Sequence, residues 1–115
     1  MAALKYKEAN WEAIKTGVFR KIVCLNDIMT VMIEFRDGPW KEAEPYHSHP
    51  HEQTCYIAKG EIILYCEGET DQHLEEGDLF FIASGKKHTI RVLSSMARLV
   101  DSFSPVREDF LHEKI

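Results

Sequence analysis

The sequence predicts an all-β, antiparallel sandwich or barrel. Three observations carry this expectation. There are about nine short strand-like runs, turn residues stand between nearly all of them, and no long segment has helical period. A parallel α/β sheet is excluded, because no stretch of about 10–15 helical residues separates one run from the next.

The runs follow in order. Asn10-Trp11-Glu12-Ala13-Ile14-Lys15 reads as a short helical piece that Gly17 ends. Val18 to Cys24 is the first strand-like run, and Ile28 to Phe35 is the second. Asp37-Gly38-Pro39 then closes the second with turn chemistry. Gln53 to Lys59 and Glu61 to Glu67 are split only by Lys59-Gly60, which reads as a hairpin. After Glu67-Gly68-Glu69 comes a short strand, Thr70 to Leu74, ended by Glu75-Glu76-Gly77-Asp78. Leu79 to Ala83, Thr89 to Leu93 and Ala97 to Phe103 complete the series. Arg107 to His112 is expected to form a closing helical turn against the outside of the barrel.

A chain of 115 residues fits one domain over 1–115, with a core barrel at about 17–105. Hydrophobic types at 44% and charged types at 29% are ordinary globular usage, which argues against disorder. The net charge of −5 repels phosphate, so nucleic acid and anionic membrane surfaces are not expected partners. An anionic small molecule stays open, because one metal or one Arg reverses the field locally. No apolar run approaches the ~20 residues of a membrane span. The first residues lack the apolar core of a signal peptide, so a cytoplasmic location is expected. Cys24, Cys55 and Cys66 are odd in number and widely spaced, the pattern of free thiols rather than of a disulfide scaffold.

Chemistry concentrates in Tyr46-His47-Ser48-His49-Pro50-His51-Glu52-Gln53. Strand side chains alternate between faces, so His47 and His49 point the same way and can aim at one metal ion. Gln53 keeps that parity, and so does His51. Glu52 is the more conventional ligand but falls on the opposite face of an unbroken strand. Pro50 breaks the strand here and loosens the parity beyond it. In the last strand Leu99, Asp101 and Phe103 share a face, which puts a carboxylate either between two apolar neighbours or, with the strand reversed, in solvent. Arg107 is a planar fork suited to a substrate carboxylate, or else the partner of Glu108 or Asp109 in a surface ion pair. Tyr46 and Tyr56 line a sugar pocket or belong to the core or an interface.

Two spaced motifs carry a resemblance. Gly38, His47-Ser48-His49, Gln53 and Gly60 are similar to the first motif of the cupin superfamily, and Gly77 through Gly85 to His88 is similar to the second. Gln53 stands where Glu is usual, Ala83 where a Pro is common, and Val92 at the usual late Asn. The string His47 to Gln53, with Tyr56 and Lys59-Gly60-Glu61, resembles the small pectin-degradation cupins. So does the distant closing string from Leu99 through Asp101, Phe103, Pro105 and Arg107 to Phe110.

The resemblance implies an antiparallel double-stranded β-helix, the cupin jelly-roll barrel, to which the short N-terminal and C-terminal helical pieces read above are added. It implies ring opening of 4,5-unsaturated uronates from polysaccharide lyases, giving the linear keto form. It places metal ligands at His47, His49, Gln53 and His88, catalytic groups at Asp101 and Arg107, and substrate-binding groups at Phe103, Gln53 and Arg107. Four neutral ligands leave the full charge on a divalent transition metal (Zn, Ni, Co, Fe or Mn), which leans towards Lewis-acid chemistry. The expected partners are a small anionic sugar and a second copy of the chain, since an open sheet edge invites pairing. The rival readings are a non-catalytic sugar or metabolite-binding cupin and a metal-dependent dioxygenase.

Overall fold

A computed structural model describes residues 2–112. Among them nine strands and one short helix form two sheets with antiparallel pairing throughout. Six strands make the larger sheet: β1 (Glu12–Lys15), β2 (Val18–Cys24), β3 (Met29–Phe35), β9 (Ala97–Ser104), β4 (Glu52–Lys59) and β7 (Leu79–Ile82), in that spatial order. The smaller sheet runs β6 (Gln72–Glu75), β5 (Glu61–Cys66), β8 (His88–Val92).

Alternation decides what each strand buries. In the larger sheet the inward row of β9 is Ala97, Leu99, Asp101 and Phe103, all buried. Register sets Val31 of β3 and Cys55 of β4 on either side of Asp101, and Met29 and Gln53 on either side of Phe103. Opposite them, Ile62, Leu64 and Val92 of the smaller sheet close one apolar cluster with Ile57, Phe80, Ile82 and Leu99. A second cluster of Met29, Val31 and Phe103 lies toward the end of the barrel where β9 finishes.

Three local expectations are corrected. Residues 12–15 form β1, not a helix. A piece this short has no helical stability of its own, since most of its backbone groups would be unpaired end groups, and pairing Glu12 with Arg20 and Ala13 with Phe19 puts it on the edge of β2 instead. Before it, one α-turn closes at Lys5, whose carbonyl accepts from Glu8 and Ala9. Second, β4 and β5 do not form a hairpin. Only Gly60 separates them, too little to reverse the chain, so it turns a corner from one sheet into the other. Gly60 takes φ +86°, and a Cβ there would stand 2.6 Å from Ser94 Oγ and 2.9 Å from Ala97 Cα. Third, α1 (Glu108–His112) does not lie against the outside of the barrel. Its Phe110 packs edge-on against Phe103, at 5.6 Å between ring centres, so the helix caps the open end. Glu108 and Asp109 in its first turn favour the helix N-terminus.

Candidate functional site

The two sheets meet at the histidines. His47 lies outside the named strands but bridges to His88, with N–H to carbonyl bonds of 3.0 and 2.9 Å in the two directions. The chain then crosses at Pro50 to enter β4. The 84–85 turn holds that crossing: Ser84 Oγ donates to the Pro50 carbonyl at 2.6 Å and Gly85 N–H to the His49 carbonyl at 2.8 Å. The break therefore carries the chain from the edge of the smaller sheet to a place between β9 and β7 in the larger one.

This crossing brings His47, His49 and His88 together, with one ligand nitrogen from each inside a 4.8 Å group. Gln53 turns inward at the start of β4, while Glu52 is exposed. His51 and Glu52 stand outside the group. The Gln53 amide donates to Asp101 Oδ1 at 2.9 Å, which turns its oxygen to within 3.1 Å of His49 Nε2.

The donor set fits a divalent ion. His49 Nδ1 lies 2.9 Å from the His51 carbonyl, and His88 Nδ1 lies 2.8 Å from the Lys86 carbonyl. A carbonyl only accepts, so both protons sit on Nδ1 and both Nε2 lone pairs are left for a metal. The Nε2 of His49 and the oxygen of Gln53 are then two acceptors facing one another, an arrangement a cation between them resolves. Burial pushes the His88 imidazole down to about 4 and His47 below its ordinary value, so both are neutral near pH 7, the form that ligates.

Beyond the histidines lies a cavity of about 210 Å³. His47, Gln53, His88, Asp101, Phe103 and Arg107 are among the residues that line it. Asp101 is 9% exposed. Burial raises its carboxyl above the ordinary range, against bonds from Cys55 and Gln53 and the Arg107 charge. Arg107 stands at the mouth, its guanidinium 3.9 Å from the Phe110 ring centre and 5.2 Å from that of Phe103. Its Nε and Nη2 both donate to Asp109, at 3.3 and 2.8 Å. Arg107 thus makes the ion pair of the bland expectation and also faces the cavity.

Tyr46 and Tyr56 point to solvent rather than into the cavity. Trp40, Glu44 and Thr89 line it without having been singled out from the sequence, and so does Phe110. Thr89 is recognisable only afterwards: its hydroxyl donates to the Glu44 carbonyl at 2.7 Å, a contact 45 residues away that no local pattern shows. Arg20 is 3% exposed. Its only sequence signal was a parity shared with Val18 and Ile22.

Comparison with known proteins agrees with this architecture. The family described as Cupin domain matches residues 36–103. The pectin degradation protein KdgF of Dickeya dadantii is 33% identical over 105 residues, covering 90% of this chain and 93% of that protein. The structure of KdgF from Halomonas sp. superposes with a TM-score of 0.81 at 30% identity, covering 92% of this chain and 96% of that one. An RmlC-like cupin from Shewanella frigidimarina gives a TM-score of 0.84 at 29% identity, covering 96% of both chains.

Proposed function

The chain belongs to the cupin family and is a relative of the pectin degradation protein KdgF, and from that premise we propose that it opens the ring of 4,5-unsaturated uronate monosaccharides to the linear keto form. The observation that carries this reading is the placing of Asp101, Arg107, His47 and His88 around one small cavity, with His49 grouped beside the other two histidines. His47, His49, His88 and Gln53 would hold one divalent transition metal, which supplies Lewis-acid charge at the site.

The chain's own residues then have distinct tasks. The Arg107 guanidinium receives the uronate carboxylate and fixes the sugar in the cavity. Asp101 accepts the proton of the anomeric hydroxyl as the bond from the anomeric carbon to the ring oxygen breaks. The carbonyl forms at the anomeric carbon, and the bonding pair leaves with the ring oxygen as an enolate. Asp101 returns the proton to the alkene carbon at position 4, and the enolate becomes a ketone. Atoms and charge balance, and the reaction is an isomerisation. Phe103, 2% exposed, walls the cavity against water. Gln53 keeps Asp101 in place through its amide bond.

The setting we assign is a reducing compartment, in keeping with three unpaired thiols at Cys24, Cys55 and Cys66. Among the described residues no helix is long and apolar enough to cross a membrane. The test is to add the metal-loaded protein to a uronate freshly released by a lyase and follow the ultraviolet absorbance of its conjugated double bond. Loss well above the spontaneous rate is expected. A rate equal to the spontaneous one overturns the proposal, and ligand-induced stabilisation without turnover would mark a binding module instead.

A further inference from the structure

The proposed function leaves unexplained why Arg107, a long side chain near the end of the described chain, should present its guanidinium at a fixed place. The order of contacts beneath it supplies a reason. Phe110 lies under Arg107 with its ring centre 3.9 Å away. The ring's edge is set by Phe103 at 5.6 Å and 81°. A second arginine, Arg20, lies 4.8 Å from the same ring, and its Nη2 donates to the Phe110 carbonyl at 3.0 Å. Arg20 is buried in β2, and its Nε donates to Glu12 of β1 at 2.6 Å. A helix of five residues has little stability of its own, so these contacts hold α1 in place.

We infer that Phe110 is a positioning residue for Arg107: its ring, seated on Phe103 and gripped by Arg20, sets the guanidinium plane at the cavity mouth for the substrate carboxylate. Asp109 completes the setting by taking the Nε–Nη2 edge of the fork. A guanidinium keeps a second, end-on edge through Nη1 and Nη2, and that edge suits a carboxylate arriving in the plane Phe110 defines. The inference rests on the reading of Arg107 as the carboxylate's partner. Arg107 lines the same cavity as His47, His88 and Asp101.

The test compares Phe110→Leu with Phe110→Tyr. Leucine keeps an apolar side chain of similar bulk against Phe103 but has no π face, whereas tyrosine keeps the face. Two readouts are taken on metal-loaded protein: the affinity for D-galacturonate, a saturated uronate that cannot react, and KM and kcat with the unsaturated uronate. Phe110→Leu is expected to weaken galacturonate binding and raise KM by about three- to tenfold, with kcat within about twofold and the melting temperature little changed. Phe110→Tyr is expected to restore both values to near wild type. Wild-type affinity and KM in Phe110→Leu would overturn the inference. So would equal loss in both variants alongside lowered melting temperatures, or failure of the wild-type protein to bind galacturonate. If the wild type bound galacturonate with the expected ranking but turned over no uronate, the reaction assignment would fall and the positioning role would stand.

Discussion

Asp101 and Gln53 show how much one amide determines at this site. The Gln53 amide has two ends: its oxygen lies 3.1 Å from His49 Nε2 and its NH2 donates to Asp101. Glutamate, usual at this position in cupins, has no donor for the second task and would set a carboxylate against a carboxylate. Gln53→Glu is therefore expected to retain its metal, since a carboxylate is a good ligand, and to lose turnover by about tenfold or more. Asp101→Asn is expected to lose about a hundredfold or more, again with metal content unchanged, because an amide cannot take up the proton. Elemental analysis beside the absorbance assay separates the two effects. Loss of metal in Asp101→Asn would make that residue structural or a ligand. The inward placement of Gln53 agrees with the parity read from the sequence, but His51, of the same parity, stands outside the group, because the chain leaves one sheet for the other at Pro50. Glu52, the chemically more obvious ligand, points to solvent. The two roles of Arg107 were not separable in one dimension, since its ion pair with Asp109 and its place at the cavity mouth coexist.

At the level of strands, Glu34 joins β3 to β9. Its carboxylate accepts from Arg98 Nε at 2.8 Å and from Arg36 Nε at 2.8 Å, with 7% of the side chain exposed. Burial works to raise its carboxyl, but the two arginines outweigh this and hold it below its ordinary value of 4.5. The folded state thus binds this proton more weakly than the unfolded state does. The stability it contributes is present in full above about pH 5 and drains away as the pH falls through the folded value. Glu34→Gln is expected to cost about 1–3 kcal/mol near neutrality, a gap that closes in acid. Chemical denaturation at both pH values measures it, and a gap independent of pH would contradict the assignment. Most strands were readable because alternation and turn glycines are local signals. Sheet membership is not local, so a single glycine at position 60 read as a hairpin when it is a corner between sheets. The short helical reading of residues 10–15 failed for a related reason, since the β2 edge that claims residues 12–15 is defined only once the sheet has formed.

Across the whole molecule the four proposed ligands come from both sheets: His88 from β8, His47 from the segment bridged to it, His49 from the crossing, and Gln53 from β4. A bound ion would tie the two sheets together at the end of the barrel where the cavity opens. The long-range convergence of residues 47–53 with residue 88 was implied by the resemblance of the two motifs to those of the cupins. The cap formed by α1 was not, because nothing in Arg107 to Phe110 says which side of the barrel the segment covers. The most direct test is a calorimetric titration of chelator-stripped protein with a divalent transition metal. One ion per chain is expected, with at least a hundredfold loss of affinity in His88→Ala. Absence of binding, or binding that His88→Ala leaves unchanged, would contradict a metal centre built on these side chains.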